Sequence, residues 1–386
     1  MTSRSPALVI LLGFLGWSSA SCSTTASVSV AQQTVSPAAV ASPSSPLSTA
    51  PKQICLGPLP ATWSAALAQG TVPISGITRF GVQAVDPTSG LAYGAYDSTD
   101  PRDPSNTSQI AAVDLKTGAV TEIAKVPPSA GGVGWMSAAD PWLAWVELDS
   151  QTNLGVWRLF AWNRTTHETI QVANSQLSDG TYLQGRETYP VVGRGYVAWA
   201  EPVGQSAVEV RVFRFDTRST LVLDRGMVSS PLLVGPYLAW GKLSSLGGSI
   251  SLGVVDAVTL DKMPTPAGLA TPRVFLYAAG SPDYLVWTPD GHSWLAQAVR
   301  DGSVASFHLP ADGTHIAQFP FAAGSDVIWW SGGLTTLVDL RTGKGFDFPG
   351  GSAAGAGDMV VVTGLKGESE TVSSIRVSEL ETLNNC

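Results

Sequence analysis

The stretch Ser230–Lys242, SPLLVGPYLAWGK, carries the phrase Tyr237-Leu238-Ala239-Trp240. Close variants precede it: Asp140–Glu147 reads DPWLAWVE, and Val192–Glu201 reads VGRGYVAWAE. Two more follow, SPDYLVWTP over Ser281–Pro289 and GSDVIWWSG over Gly324–Gly332. Aligned on the aromatic position, the chain sets Tyr93, Trp145, Trp199, Trp240, Trp287, Trp329 and a degenerate Val361 at one offset. The interval is roughly forty to fifty residues, shorter at the last step, and such a period marks a repeat of four short strands.

Each unit reads alike. A short strand of small residues ends in Gly, as in YPVVG, SPLLVG, LYAAG, FPFAAG and GSAAG. A tight turn leads to the aromatic strand, then a loop of variable length, then an alternating strand such as SAVEVRVFRFD or LTTLVDL. A second tight turn leads to the last strand. Alternation over five to eight residues bounded by Gly, Pro and Asp is strand chemistry. The pattern predicts an all-β chain: one β-propeller, with seven blades of four-stranded antiparallel sheets over residues 76–386. Blades pack face to face, so each needs a large flat side chain at a fixed place. A buried Trp removes roughly 150–250 Å² from water and serves as that wedge.

The Asp residues before the second turn, Asp114, Asp216, Asp256 and Asp339, provide too few oxygen ligands for a calcium loop. Asp and Thr closing a turn, with Gly at positive φ, account for them. No metal, cofactor or catalytic residue is expected: the innermost strands carry no Asp, Glu or His, and the four histidines have no metal-ligand spacing. Ahead of the repeats, Leu59–Gly70 (LPATWSAALAQG) has Leu59, Trp63, Ala66 and Leu67 at helical spacing with a Gly stop, so the segment 53–75 should hold one short helix.

The start of the chain reads differently. Arg4, an apolar run from Ala7 to Trp17 and the small residues up to Cys22 form a secretory signal over 1–21. Cleavage after Ala20 would release a secreted protein. Alternatively, Ser19-Ala20-Ser21-Cys22 resembles a bacterial lipobox, which would make Cys22 the lipidated first residue and anchor the protein outside the cytoplasm. With Cys22 so used, Cys55 and Cys386 remain as a disulfide pair that clasps the two ends of the ring. Residues 22–52 contain almost no charge and are rich in Ser, Thr, Ala and Pro, the composition of a disordered tether. A net charge of −8 and a pI near 5.0 exclude the basic stripe of a nucleic-acid binder.

The G-x-x-Y-h-A-W strand and h-D-h-x-T-G turn (h, hydrophobic) resemble those of bacterial TolB-type and WD-repeat-like propellers, particularly extracytoplasmic lipoproteins. That resemblance spans about Ile74 to Asn385 and implies protein partners in the cell envelope. IAAVDLKTGAVTEI and TTLVDLRTGKGFDF also resemble blades of pyrroloquinoline-quinone dehydrogenases. Those blades carry a Trp beyond the Thr-Gly pair, whereas Val120-Thr121-Glu122 and Phe346-Asp347-Phe348 stand here, so no quinone is expected.

A monomeric binding or scaffold protein for a protein, peptide or glycan follows, with the membrane reached through the lipid alone. The alternative is a hydrolase or lyase acting on glycans through a loop-built site. The candidate binding face is Glu147 and Glu201, two residues past their Trp, with Tyr182, Arg186 and Glu187 of the long loop before Val191.

Overall fold

The computed structural model describes residues 52–97, 109–126, 132–150, 153–177, 179–182, 188–203, 207–244, 250–266, 269, 277–289, 291–310, 315, 320–331, 334–348, 351–366, 369–381 and 383. Seven short inner strands organise them: Thr78–Asp86, Gly132–Ala139, Val191–Gly193, Leu232–Val234, Ala278–Gly280, Phe321–Ala323 and Ala353–Ala356. Each contacts the next in that order, and the last contacts the first. Outward from each inner strand runs an antiparallel meander. In the second blade the order is Gly132–Ala139, Trp142–Leu148, Trp157–Asn163, Thr169–Asn174. The third and fourth blades run into one sheet, because Ser219–Val228 reaches Tyr237–Leu243 through the pairs Met227–Leu243 and Val228–Lys242. Among the described residues the fourth blade has no regular outer strand; an isolated bridge between Val255 and Lys262 takes that place.

The buried side chains divide into seven clusters, each between neighbouring sheets. Trp145, Trp199, Trp240 and Trp287 are 3% exposed or less, and each fills the gap towards the preceding blade. At roughly 25 cal/mol per Å², one such indole contributes about 5 kcal/mol as an upper bound. Trp240 fits because Gly253 lies opposite; a Cβ there would come within 2.2 Å of the indole. Tyr93 and Val361 are buried too, but face the following blade. A slip of one residue in a strand reverses the face. Where the second to fifth blades have the Trp, the first has Gly94, and Phe80 from the inner strand packs over it.

The segment ahead of the repeats does more than carry a helix. Lys52–Gln53 pairs in parallel with Val304–His308, the outer strand of the fifth blade. Cys55–Leu56 does the same for Lys344–Phe348 in the sixth. The helix Ala61–Gln69 follows, with Trp63 fully buried among Phe346, Phe348 and Leu383. Thr71–Pro73 then supplies the outermost strand of the seventh blade by pairing with Ser369–Arg376. This strap covers three sheet edges that would otherwise offer unpaired backbone groups. It also brings the end of the chain to its start: Thr62 donates to Glu381 at 2.7 Å, and the Trp63 indole donates to the Glu381 carbonyl at 3.4 Å. No helix among the described residues is long and apolar enough to cross a membrane.

Candidate functional site

A four-stranded meander places its connections alternately on two faces. One face carries the turns from first to second strand and from third to fourth. These are tight: Arg194-Gly195, Gly324-Ser325 and Gly357-Asp358 among the former, Asp114–Gly118 and Asp339–Gly343 among the latter. The turn carboxylates serve their own backbones. Asp114 accepts from the N–H groups of Lys116 (2.9 Å) and Thr117 (2.8 Å), and Asp256 from those of Val258 and Thr259, both at 2.8 Å. The opposite face receives the variable connections, including the long one before Val191 in which Tyr182 is 41% exposed.

At the axis lies a channel with a cavity volume of about 640 Å³. Inner strands of the second to seventh blades line it with Gly, Ala, Val, Leu, Met, Pro, Ser and aromatic residues. None of these described lining residues carries a charge. At the tight-turn end, neighbouring blades are tied together. The Gly235 N–H donates to the Ser281 carbonyl at 2.9 Å, the Ser281 hydroxyl to the Gly324 carbonyl at 2.7 Å, and the Gly324 N–H to the Gly357 carbonyl at 2.6 Å. Gly280 permits this approach, since a Cβ would lie 1.8 Å from the Leu233 carbonyl oxygen. At the loop end the channel is lined by Trp135, Tyr189, Tyr277 and Phe321, all half-buried. Trp135 and Tyr189 meet across two blades with ring centres 4.6 Å apart.

Glu147 and Glu201 end their strands on this loop face, the face of Tyr182, but each is bound to its wedge. The Trp145 indole donates to Glu147 at 3.1 Å and the Trp199 indole to Glu201 at 3.0 Å. Arg158 bridges Glu147 (3.2 Å) and Asp149 (2.8 Å), while Arg211 bridges Glu201 (3.1 Å) and Glu209 (2.7 Å). Burial pushes both carboxyls above the usual range, opposed by these same indole and guanidinium partners. Trp240 finds Asp224 at 2.8 Å instead. Trp287 is followed by Thr288 and Pro289, and its indole N–H has no hydrogen-bond partner among the described residues. Arg186, Glu187, Cys22 and Cys386 lie outside the described residues.

Sequence reading did not single out a carboxyl pair in the sixth blade. Asp326 opens the second strand directly opposite the turn residue Asp339, and both are fully buried. Arg341 holds Asp339 at 2.8 Å, whereas Asp326 Oδ1 has no partner among the described residues. Burial, reinforced by the charge of Asp339, raises the Asp326 carboxyl well above the ordinary range. The visible signal is that Asp326 occupies the position of Tyr196, Tyr237 and Tyr284 in other blades.

No family model matches the chain, and no curated protein matches it in sequence. Solved structures do match. A prolyl endopeptidase is 12% identical with a TM-score of 0.50 over 81% of this chain and 49% of its own. TolB from Acinetobacter baumannii is 14% identical with a TM-score of 0.43 over 74% and 64%. The β-propeller domain of Cps50 (Swd1) from Myceliophteria thermophila is 11% identical with a TM-score of 0.45 over 79% and 100%. The fold is a β-propeller. The chain spans 64% of TolB and about half of the endopeptidase, and identities this low bear on the fold alone.

Proposed function

We propose that this chain is a seven-bladed, membrane-anchored extracytoplasmic binding protein whose loop face holds a protein partner without catalysis. The observation that carries the reading is the inequality of the two faces. Among the described residues the aromatic mouth of the channel and Tyr182 share one side, while the other is tight turns, several of them closed by their own Asp. Function grafted onto a propeller sits on such loops. The signal sequence, the lipobox-like Ser19–Cys22 and the uncharged tether support the location. A disulfide at Cys55 supports the clasp with Cys386, as does Leu383, which packs beside Trp63 three residues before the last cysteine.

The test is a photo-cross-linking residue at position 182, with one at position 166, in a tight turn, as control. The expected result is a discrete protein adduct from 182 alone, and at least a tenfold affinity loss for that partner in Tyr182→Ala. Adducts from 166 with equal yield, or an unaltered affinity in Tyr182→Ala, would remove the loop face from consideration.

A further inference from the structure

We propose that the axial channel is itself a binding site, for an uncharged apolar small molecule that enters past Trp135, Tyr189 and Tyr277. This site is separate from the partner surface on the loops and stands or falls without it. Its size is the first observation: about 640 Å³ lies inside the span of small-molecule sites, roughly 300–1,000 Å³. Small residues make that room, among them Ala279, Ala322 and Gly355 at the crowded centre of the ring.

The wall chemistry selects the occupant. No described lining residue is charged, and none of them carries an amide or carboxyl side chain. Its hydroxyls are largely engaged. Ser137 accepts from the Val192 N–H at 2.9 Å, Ser229 accepts from the Gly241 N–H at 2.9 Å, and Ser281 donates to Gly324 while accepting from Tyr284 at 3.0 Å. A charged molecule or a sugar would surrender its water there and recover few hydrogen bonds. A hydrocarbon or aromatic body loses nothing by leaving water and gains contact with the wall. The belt through Gly235, Ser281, Gly324 and Gly357 lies at the far end, and aromatic rings line the near end.

The test uses the folded full chain in detergent-free solution and two fluorescent probes sharing one ring skeleton. N-phenyl-1-naphthylamine is uncharged; 1-anilinonaphthalene-8-sulfonate adds one negative charge. The expected result is saturable one-to-one binding of the uncharged probe, at least tenfold weaker binding of the sulfonate, displacement by octanol and none by maltotriose. Ala279→Leu, which fills the channel, should weaken the uncharged probe at least tenfold. Tyr277→Ala provides a second variant should the first not fold, and should weaken it at least threefold. Equal binding of both probes, displacement by the sugar, or undiminished binding in the folded variants overturns the proposal. Loss of the loop-face partner leaves this result untouched, so the two readings fail separately.

Discussion

Replacing Trp145 by Phe separates the two duties of the wedge. The ring is 1% exposed between the first and second blades, and its N–H reaches Glu147 at 3.1 Å. Phe keeps the six-membered ring but removes about 40 Å³, which at ~24 cal/mol per Å³ of residual cavity costs about 1 kcal/mol. It also withdraws one donor from a carboxylate that is 6% exposed. A hydrogen bond to a charged group contributes about 1.5–3 kcal/mol. Arg158 still holds the other oxygen at 3.2 Å, so the lower part of that range applies. The expected destabilisation at pH 7 is about 3 kcal/mol, read from urea unfolding with an unchanged slope.

The cycle with Glu147→Gln isolates the charged part of the bond. In that background the amide oxygen still accepts from the indole, so Trp145→Phe should cost the cavity contribution plus about 1 kcal/mol for a neutral hydrogen bond, leaving a coupling of about 1 kcal/mol. The pH dependence supplies a second reading. Glu147 already sits above its ordinary value through burial, and loss of the indole donor, which lowers it, moves it higher. A carboxyl raised in the folded state adds stability that is present below its unfolded value and lost as pH rises through the folded one. The penalty of Trp145→Phe should therefore shrink in acid. A coupling within about 0.5 kcal/mol of zero, with a pH-independent penalty, would refute the assignment.

Three further outcomes follow from the same structure. Asp326 is raised in the folded chain, so stability should fall as pH climbs from the ordinary carboxyl range through its folded value; Asp326→Asn should flatten that slope in melting curves and raise the melting temperature at pH 7. Gly253→Ala would press a Cβ onto the Trp240 indole and should cost about 1–3 kcal/mol by urea unfolding, relieved in Trp240→Phe. Thiol titration of the native chain without reductant should find no reactive Cys55 or Cys386, and Cys386→Ser should destabilise by about 2–5 kcal/mol without moving the mature protein off the membrane, which Cys22→Ser should do.

The repeat was legible because it is local. A Gly turn, an aromatic strand and a Thr-Gly turn each declare themselves within ten residues, and a flat side chain recurring at one offset has few causes other than stacked sheets. What was not legible depends on register or on distant chain. Tyr93 and Trp145 align in sequence, yet one face of a strand differs from the other by a single residue, and no phrase reveals that Phe80 rather than Tyr93 fills the first wedge. The two-residue strands at Lys52 and Cys55 are too short to carry a period, and exist only because the outer edges of the fifth and sixth sheets lie beside them.

The candidate site divides in the same way. Spacing put Glu147 and Glu201 on the face of their tryptophans, which is where they are, but exposure does not follow from spacing. An indole N–H buried between sheets is stabilised by an acceptor, and in Trp145 and Trp199 the carboxylate two residues on supplies it. That explains W-V-E and W-A-E as structural phrases before any partner is considered. The channel had the opposite fate. Its wall is spelled out in the inner strands PVVG, PLLVG, YAAG and FAAG, whose lack of charge counts against glycosidase carboxylates at the axis. Ring closure turns that absence into a property of its own, because strands scattered over more than two hundred residues come to face one another across a single space. An uncharged run in a sequence is unremarkable core; the same runs gathered around an axis, with aromatic rings at one end and a hydrogen-bonded belt at the other, become a site with a preference for what enters it.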